Sequence, residues 1–475
     1  MRLLVRWIAE VVRGRMERGD PETEWCGVST DSRSIQPGQV FWALQGERFD
    51  GHDFLSAAVE KGASCLLVRK GAELSGIGAD VAIVEVDDTL RALGNAAAHY
   101  RRLFNIPVVA VTGSNGKTTT KEMIATLLST RKHVLKNEGN LNNLIGLPLS
   151  LLRLSPDHDV SVVEMGMNQR AEIARLTEIA DPTVGVITNI GPVHLEHLQS
   201  VEAVAACKGE LLETMSAQGT AVINHDDPMI EALSRKWKGE KITIGIKRSS
   251  DVTAHDIRSL GEQGLAFEVI ARGEKIPVVL PMIGEHNVMN TLAAVASLIA
   301  LGETTALIPE GLAHFRNLSL RQEILSLPQG ITVINDAYNA NPVSMKAALQ
   351  TFLNLKGESR GGIVLGDMLE LGAGSNALHR QLGEEIARSN ITYLLLLGNH
   401  ADEVKAGAIA GGLNQDAIVI AREHGEVNEI LRSIMNKGDW ILVKGSRAME
   451  MEKVIKKLIE DTERRQETRG PGGRH

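Results

Sequence analysis

The chain is poor in cysteine. Its three cysteines, Cys26, Cys65 and Cys207, are odd in number, far apart and without metal-ligand spacing. That excludes a disulfide framework and a cysteine metal cluster, and a reduced, intracellular protein is the expectation. A basic surplus is also lacking. The formal net charge is −8 at pH 7, so the balance gives no support to a nucleic-acid partner; local Lys and Arg clusters can still take a small anion. Long hydrophobic runs are missing too. The longest apolar helical stretch, 288–301, contains Asn290 and Thr291 and falls short of the roughly 18 residues of a membrane span. Near the start, Arg2, Arg6, Glu10 and Arg13 break the apolar residues, which excludes a signal-peptide core and suits a short amphipathic helix. The expectation is a cytoplasmic protein without membrane or nucleic-acid partners. The tail, 463–475, is charged and then rich in Gly and Pro, and is expected to be disordered.

What is present is a repeated strand–loop–helix pattern in a chain of 475 residues, long enough for about three domains. The first part, 1–104, holds short strand-like runs such as Cys65-Leu66-Leu67-Val68 and Val81-Ala82-Ile83-Val84, then a helix over 91–104. Ile106-Pro107 punctuates the chain there. Over 105–311, apolar runs end in polar or glycine residues. Val108 to Val111 leads into a glycine loop, Val160-Ser161-Val162-Val163 into Glu164, Val184 to Ile187 into Thr188-Asn189, and Ala221-Val222-Ile223 into Asn224. Continuous apolar strands alternating with helices predict an α/β fold with a mostly parallel sheet covered on both faces. From Leu312 the pattern restarts with Thr332-Val333-Ile334, Gly362-Ile363-Val364-Leu365, Leu394 to Leu397 and Ile441-Leu442-Val443. A second, dinucleotide-fold-like α/β domain over 312–462 follows.

The chemistry-bearing residues sit at the ends of these strands. Gly113-Ser114-Asn115-Gly116-Lys117-Thr118-Thr119 lies after a buried strand and before a helix with apolar Met123, Ile124, Leu127 and Leu128. That context marks a phosphate-binding loop. Backbone N–H groups and the helix N-terminus favour an anion, Lys117 reaches phosphates, and Thr118 suits magnesium. Val111 stands where the full Walker pattern wants glycine; the bland reading is a glycine-rich turn. Glu164 ends a neighbouring strand, where a carboxylate can ligate magnesium or simply be solvated. His194 and His197 have no third ligand nearby in sequence, which disfavours zinc. By itself Lys208 is a helix lysine. In Glu285-His286-Asn287, Asn287 either caps the next helix or meets a ligand. Asp336-Ala337-Tyr338-Asn339-Ala340-Asn341-Pro342 is a plain turn or a binding loop with a ring for a base. Lys444-Gly445-Ser446-Arg447 suits a carboxylate or phosphate, or is a surface loop.

Together these segments resemble the ATP-dependent Mur ligases, from Ser29 to about Glu452. Thr112-Gly113-Ser114-Asn115-Gly116-Lys117-Thr118-Thr119 has this family's shortened loop. Asp336 to Pro342, Gly366-Asp367-Met368-Leu369-Glu370-Leu371-Gly372, Lys444-Gly445-Ser446-Arg447 and Gly139-Asn140-Leu141-Asn142-Asn143 point to the member that joins D-alanyl-D-alanine to a UDP-muramoyl-tripeptide. The resemblance implies three domains, for the UDP-sugar substrate (1–104), ATP (105–311) and the incoming amino component (312–462). It implies that Ser29, Thr30, Asp31, Ser32, Arg33, Asp50, Gly51 and His52 hold the UDP part, with Asn140, Asn142 and Asn143 also on substrate. Thr118 and Glu164 would bind one Mg2+, and His194 and a carbamylated Lys208 a second. Lys117, Lys208 and His194 would be catalytic. Asn290, Arg321, Asp336, Asn339 and Asn341 would surround adenine and ribose, and Lys444 and Arg447 would face the substrate's anionic groups. Relatives often carry an aromatic and a glycine after His194-Leu195-Glu196, where Leu198 and Gln199 stand here. A monomer is expected. The rivals are a folylpolyglutamate-type ligase, a P-loop kinase and a regulatory nucleotide-binding module.

Overall fold

A computed structural model describes residues 3–46, 48–316, 318–327 and 330–467, with side chains through 461. Of the tail expected to be disordered, 463–467 instead continue the helix Glu452–Glu467, and 468–475 lie outside the described residues.

The central sheet has nine strands. In order across the sheet they are Glu274–Leu280, Leu265–Ala271, Val252–Ser259, Glu240–Gly245, Thr220–Asn224, Val184–Ile187, Val108–Thr112, Val160–Glu164 and Val134–Lys136. Pairing is parallel from Val134–Lys136 as far as Val252–Ser259, and antiparallel for the last two strands. The mostly parallel sheet read from the apolar runs is therefore present. Its strands are buried on both faces because alternate residues serve different cores. Val108 and Ala110 join Ile173, Leu176, Val204 and Leu211 on one side. Val109 and Val111 join Met123, Ile124, Leu127, Val288 and Leu292 on the other. This period-two division is what continuous hydrophobic strands between helical layers require.

The N-terminal sheet runs Arg15–Arg18, Ala82–Val86, Cys65–Arg69, Val40–Trp42, Val28–Ser29, antiparallel at the first pair and parallel thereafter. The helix expected over 91–104 is Thr89–Arg101. It begins earlier because the Asp88 carboxylate accepts Arg91 N at 2.9 Å and caps the helix N-terminus.

The C-terminal sheet runs Glu323–Leu327, Ile331–Asp336, Trp440–Lys444, Gly361–Gly366, Tyr393–Leu397, Ile418–Ala421, antiparallel only at the first pair. Its four expected strands all lie in this sheet. Among the described residues no helix is long and apolar enough to cross a membrane, and all three cysteines are free.

Candidate active site

Parallel register brings the chemistry to one edge. Glu164 lies opposite Val111, and Ile187 opposite Thr112. The loops that leave these three strands therefore start side by side at the carboxyl edge, where ligands of such sheets bind. The phosphate loop follows Thr112, and its helix runs Lys117–Ser129. Gly116, at φ 79°, is in the left-handed region that turns the chain into the helix. Asn189 braces the loop, accepting Asn115 N on Oδ1 at 2.9 Å, while Thr188 Oγ1 donates to Asn115 O at 2.6 Å.

Glu164 is buried at 3 % exposure. Its carboxylate is shared: Thr118 Oγ1 donates to Oε2 at 2.7 Å, and Asn142 Nδ2 donates to Oε1 at 2.7 Å. Asn142 fits because residue 166 is glycine; a Cβ there would meet the Asn142 amide at 2.8 to 3.1 Å. Lys117 Nζ lies over its own loop, donating to Gly113 O at 2.9 Å. Burial lowers its pKa, with Glu164 pulling the other way and Arg321 adding to the fall. Lys208, on the helix Val201–Thr214, is 2 % exposed. Desolvation, then the nearby Lys117 charge, pushes its amine well below the ordinary lysine range.

The C-terminal domain closes the other side. Asp336 and Lys444 are register partners at the carboxyl edge of its sheet, which explains their ion pair at 2.6 Å. Arg321 stacks over the Tyr338 ring at 3.9 Å and donates from Nη2 to Thr118 Oγ1 at 2.8 Å. Asn341 caps the helix Pro342–Lys356 through Ser344 N and donates to Asn115 Oδ1 at 2.7 Å. His194 Nδ1 meets Glu370 Oε2 at 2.6 Å; this bond, the first cause, holds the Glu370 carboxyl below its usual range.

These residues enclose a cleft of about 650 Å³. Ser114, Asn115, Gly116, Lys117, Thr118, Thr119, Asn140, Asn142, Asn143, Glu164, His194, Lys208, Asn290, Arg321, Asp336, Asn339, Asn341 and Lys444 all line it. Gly113 belongs to the same loop. Three residues expected around adenine and ribose bond to the loop or the helix after it: Arg321 at Thr118, Asn341 at Asn115, and Asn290, which accepts Thr120 Oγ1 at 3.3 Å. Arg447 does not line the cleft; its guanidinium is engaged by Glu452 at 2.7 Å. Lys444 lines it, but its ammonium is held by Asp336 and by Asn339 O at 2.9 Å. The N-terminal group lies away from the cleft, after the carboxyl ends of two parallel strands. There Arg33 pulls the Asp31 carboxyl down to about 2. His52 accepts Arg69 N at 2.9 Å and bonds Asp50 at 2.5 Å.

The structure adds residues that carried no role in the sequence reading. Glu370 is one, and its place just after the strand Gly361–Gly366 was the available signal. His286 is another cleft residue. Asn287 is no cap: it lies inside the helix His286–Ala300, donating to Ile283 O at 2.8 Å and accepting Asn290 Nδ2 at 2.9 Å.

Comparison with known proteins agrees with this geometry. Residues 25–101 match the Mur ligase family catalytic domain, 111–298 the Mur ligase middle domain and 320–447 the Mur ligase glutamate ligase domain. The UDP-N-acetylmuramoyl-tripeptide–D-alanyl-D-alanine ligase of Bacillus subtilis is 36% identical over 96% of this chain and 98% of its own length. A crystal structure of MurF from Acinetobacter baumannii superposes with a TM-score of 0.88 at 31% identity, covering 97% of this chain and 99% of that one. The MurF ligase of Thermotoga maritima, solved in complex with ADP, gives 0.81 at 28% identity over 92% of this chain and 98% of that one. The chain belongs to the Mur ligase family.

Proposed function

We propose that this Mur ligase is an ATP-dependent ligase that adds D-alanyl-D-alanine to UDP-N-acetylmuramoyl-tripeptide, through an acyl phosphate, in peptidoglycan synthesis. The observation that carries the reading is the cleft itself: a phosphate loop, a buried carboxylate and a buried lysine, faced by the C-terminal domain, in a chain that aligns over 96% of its length with that ligase of B. subtilis.

The substrate carboxylate attacks the γ-phosphorus of ATP. The new O–P bond forms as the bond to ADP breaks, leaving an acyl phosphate. The neutral amine of the dipeptide then attacks the acyl carbon, phosphate leaves with the bonding pair, and the nitrogen gives up its proton to solvent. Lys117 and the N–H groups at the start of the helix Lys117–Ser129 offset charge on the phosphoryl oxygens. Asn290, Arg321, Asp336, Asn339 and Asn341 surround adenine and ribose, beside Tyr338, and Arg321 and Asn341 also reach the phosphate loop. Ser29 to Arg33 and Asp50 to His52 hold the UDP end, and Asn140, Asn142 and Asn143 the substrate near Glu164.

The donor set fits magnesium. The Thr118 hydroxyl and Glu164 carboxylate are hard oxygen donors in contact, and a cationic guanidinium already rests on that hydroxyl. Thr118 and Glu164 would hold one ion. His194 and Lys208, carbamylated at its low-pKa amine, would hold a second. Bound there, Mg2+ supplies positive charge to the phosphoryl oxygens. The expected location is the cytoplasm and the working unit a monomer.

The test is phosphate release from ATP with UDP-muramoyl-tripeptide and D-alanyl-D-alanine, each omitted in turn. Release requires both; release without the dipeptide, or transfer of phosphate to a stable product, would remove the ligase reading. Lys117→Ala abolishes release.

A further inference from the structure

Glu164 is held in place by a residue that does not reach the cleft surface. Asn137 follows the edge strand Val134–Lys136 and is 1 % exposed. The parallel ladder between that strand and Val160–Glu164 runs to Lys136 opposite Val162 and stops. The Asn137 side chain continues the ladder. Its Oδ1 accepts Glu164 N at 2.9 Å, and its Nδ2 donates to Glu164 O at 3.0 Å. The same Nδ2 donates to Leu141 O at 2.8 Å, at the start of the turn that delivers Asn142 to the Glu164 carboxylate. One amide therefore sets both the peptide of Glu164 and the loop of its partner.

Asn137 is itself anchored. Lys121, 0 % exposed, donates from Nζ to Asn137 O at 2.6 Å. Glu122 lies 2.9 Å from the same ammonium and also pairs with Lys136. An ammonium is costly to bury unless it is both paired and hydrogen-bonded, and here a carboxylate and the Asn137 carbonyl meet both conditions. An apolar residue at 137 would leave the Glu164 peptide and Leu141 O without these partners.

Resting on the reading of Glu164 as a cation ligand, we infer that Asn137 is a positioning residue for the cation site: it fixes Glu164 and Asn142 in the geometry that a divalent ion meets. Groups that orient metal ligands typically change affinity when removed, because the ligands lose their preset direction.

The experiment is Mn2+ binding to the whole chain with ADP present, read by electron paramagnetic resonance. Asn137→Ala weakens Mn2+ roughly 10- to 100-fold, while ADP binding without a divalent cation is unchanged. In a Glu164→Gln background, Asn137→Ala adds no further loss of Mn2+ affinity, because the ligand it orients is already gone. Parental Mn2+ affinity in Asn137→Ala overturns the inference, as does equal loss of Mn2+ and metal-free ADP binding, which marks general collapse. If Glu164→Gln alone keeps parental Mn2+ affinity, the reading of Glu164 as a ligand fails instead. Should Asn137→Ala not fold, Asn137→Ser, whose hydroxyl is too short to bridge both partners, decides by the same criteria.

Discussion

The two seams of the molecule are built differently. Between the N-terminal and central domains, one apolar core runs through without a break: Val5, Trp25 and Trp42 share it with Val108, Ile173 and Leu176. Arg101, 7 % exposed, closes that seam by donating to Ala180 O at 2.7 Å, Ile106 O at 3.0 Å and Phe104 O at 3.2 Å. Between the central and C-terminal domains the contacts that bridge the cleft are polar pairs: His194 with Glu370, Asn115 with Asn341, Thr118 with Arg321. The C-terminal sheet packs two cores, one of which takes in Ile283 from the central domain. A continuous core ties two domains into one body. Hydrogen-bonded polar pairs contribute only about 0.5–1.5 kcal/mol each, so that seam can part. A ligase that must admit three substrates and then exclude water from an acyl phosphate needs one fixed seam and one that moves.

The contrast can be broken or sharpened by substitution. The largest effect is expected at Lys208, in the body between the seams. Lys208→Met removes turnover altogether and raises the unfolding midpoint in magnesium-free buffer at neutral pH. The sign follows from linkage. The folded pKa is lowered, so the unfolded chain binds the extra proton, and the penalty grows as pH falls from the ordinary lysine value of about 10.4 towards the folded one. A midpoint that falls at neutral pH would refute it. Next is Arg101→Ala, which strands several carbonyls and costs about 3 kcal/mol in urea unfolding; an unchanged midpoint would mean that the fixed seam does not depend on it. Glu370→Gln acts on the mobile seam. It lowers turnover roughly tenfold, about 1.4 kcal/mol in the barrier, and leaves the urea midpoint nearly unchanged. If it destabilises the chain as much as Arg101→Ala does, the two seams are alike after all. The smallest effect is Asn341→Ala, which removes a helix cap worth about 1 kcal/mol. Faster amide exchange confined to the first turn of Pro342–Lys356 is the expected readout.

The strands, the phosphate loop and most cleft residues were legible because each is encoded locally. Apolar runs ending in polar residues mark both a strand and its carboxyl edge, and Glu164 and Asp336, which line the cleft, were read that way. What was not legible depends on how separate domains face one another. Sequence does not reveal that Arg321 reaches Thr118. Nor does it reveal that Arg447 is paired with Glu452, in the following helix. Glu370 carried no assigned role until His194 was placed 2.6 Å away. Asn137 was invisible for another reason: a side chain that imitates a backbone pair leaves no pattern of hydrophobicity or charge.

The unbroken N-terminal core also has a consequence for synthesis. Its last strands and helices, and the second core that backs the same sheet, are completed by residues up to Phe315. The C-terminal sheet starts at Glu323 and buries its apolar residues almost entirely among themselves, with Ile283 the one earlier residue in its cores among the described residues. Translation therefore delivers one finished body before the next has begun, so the two large units assemble in sequence with little opportunity to mispair.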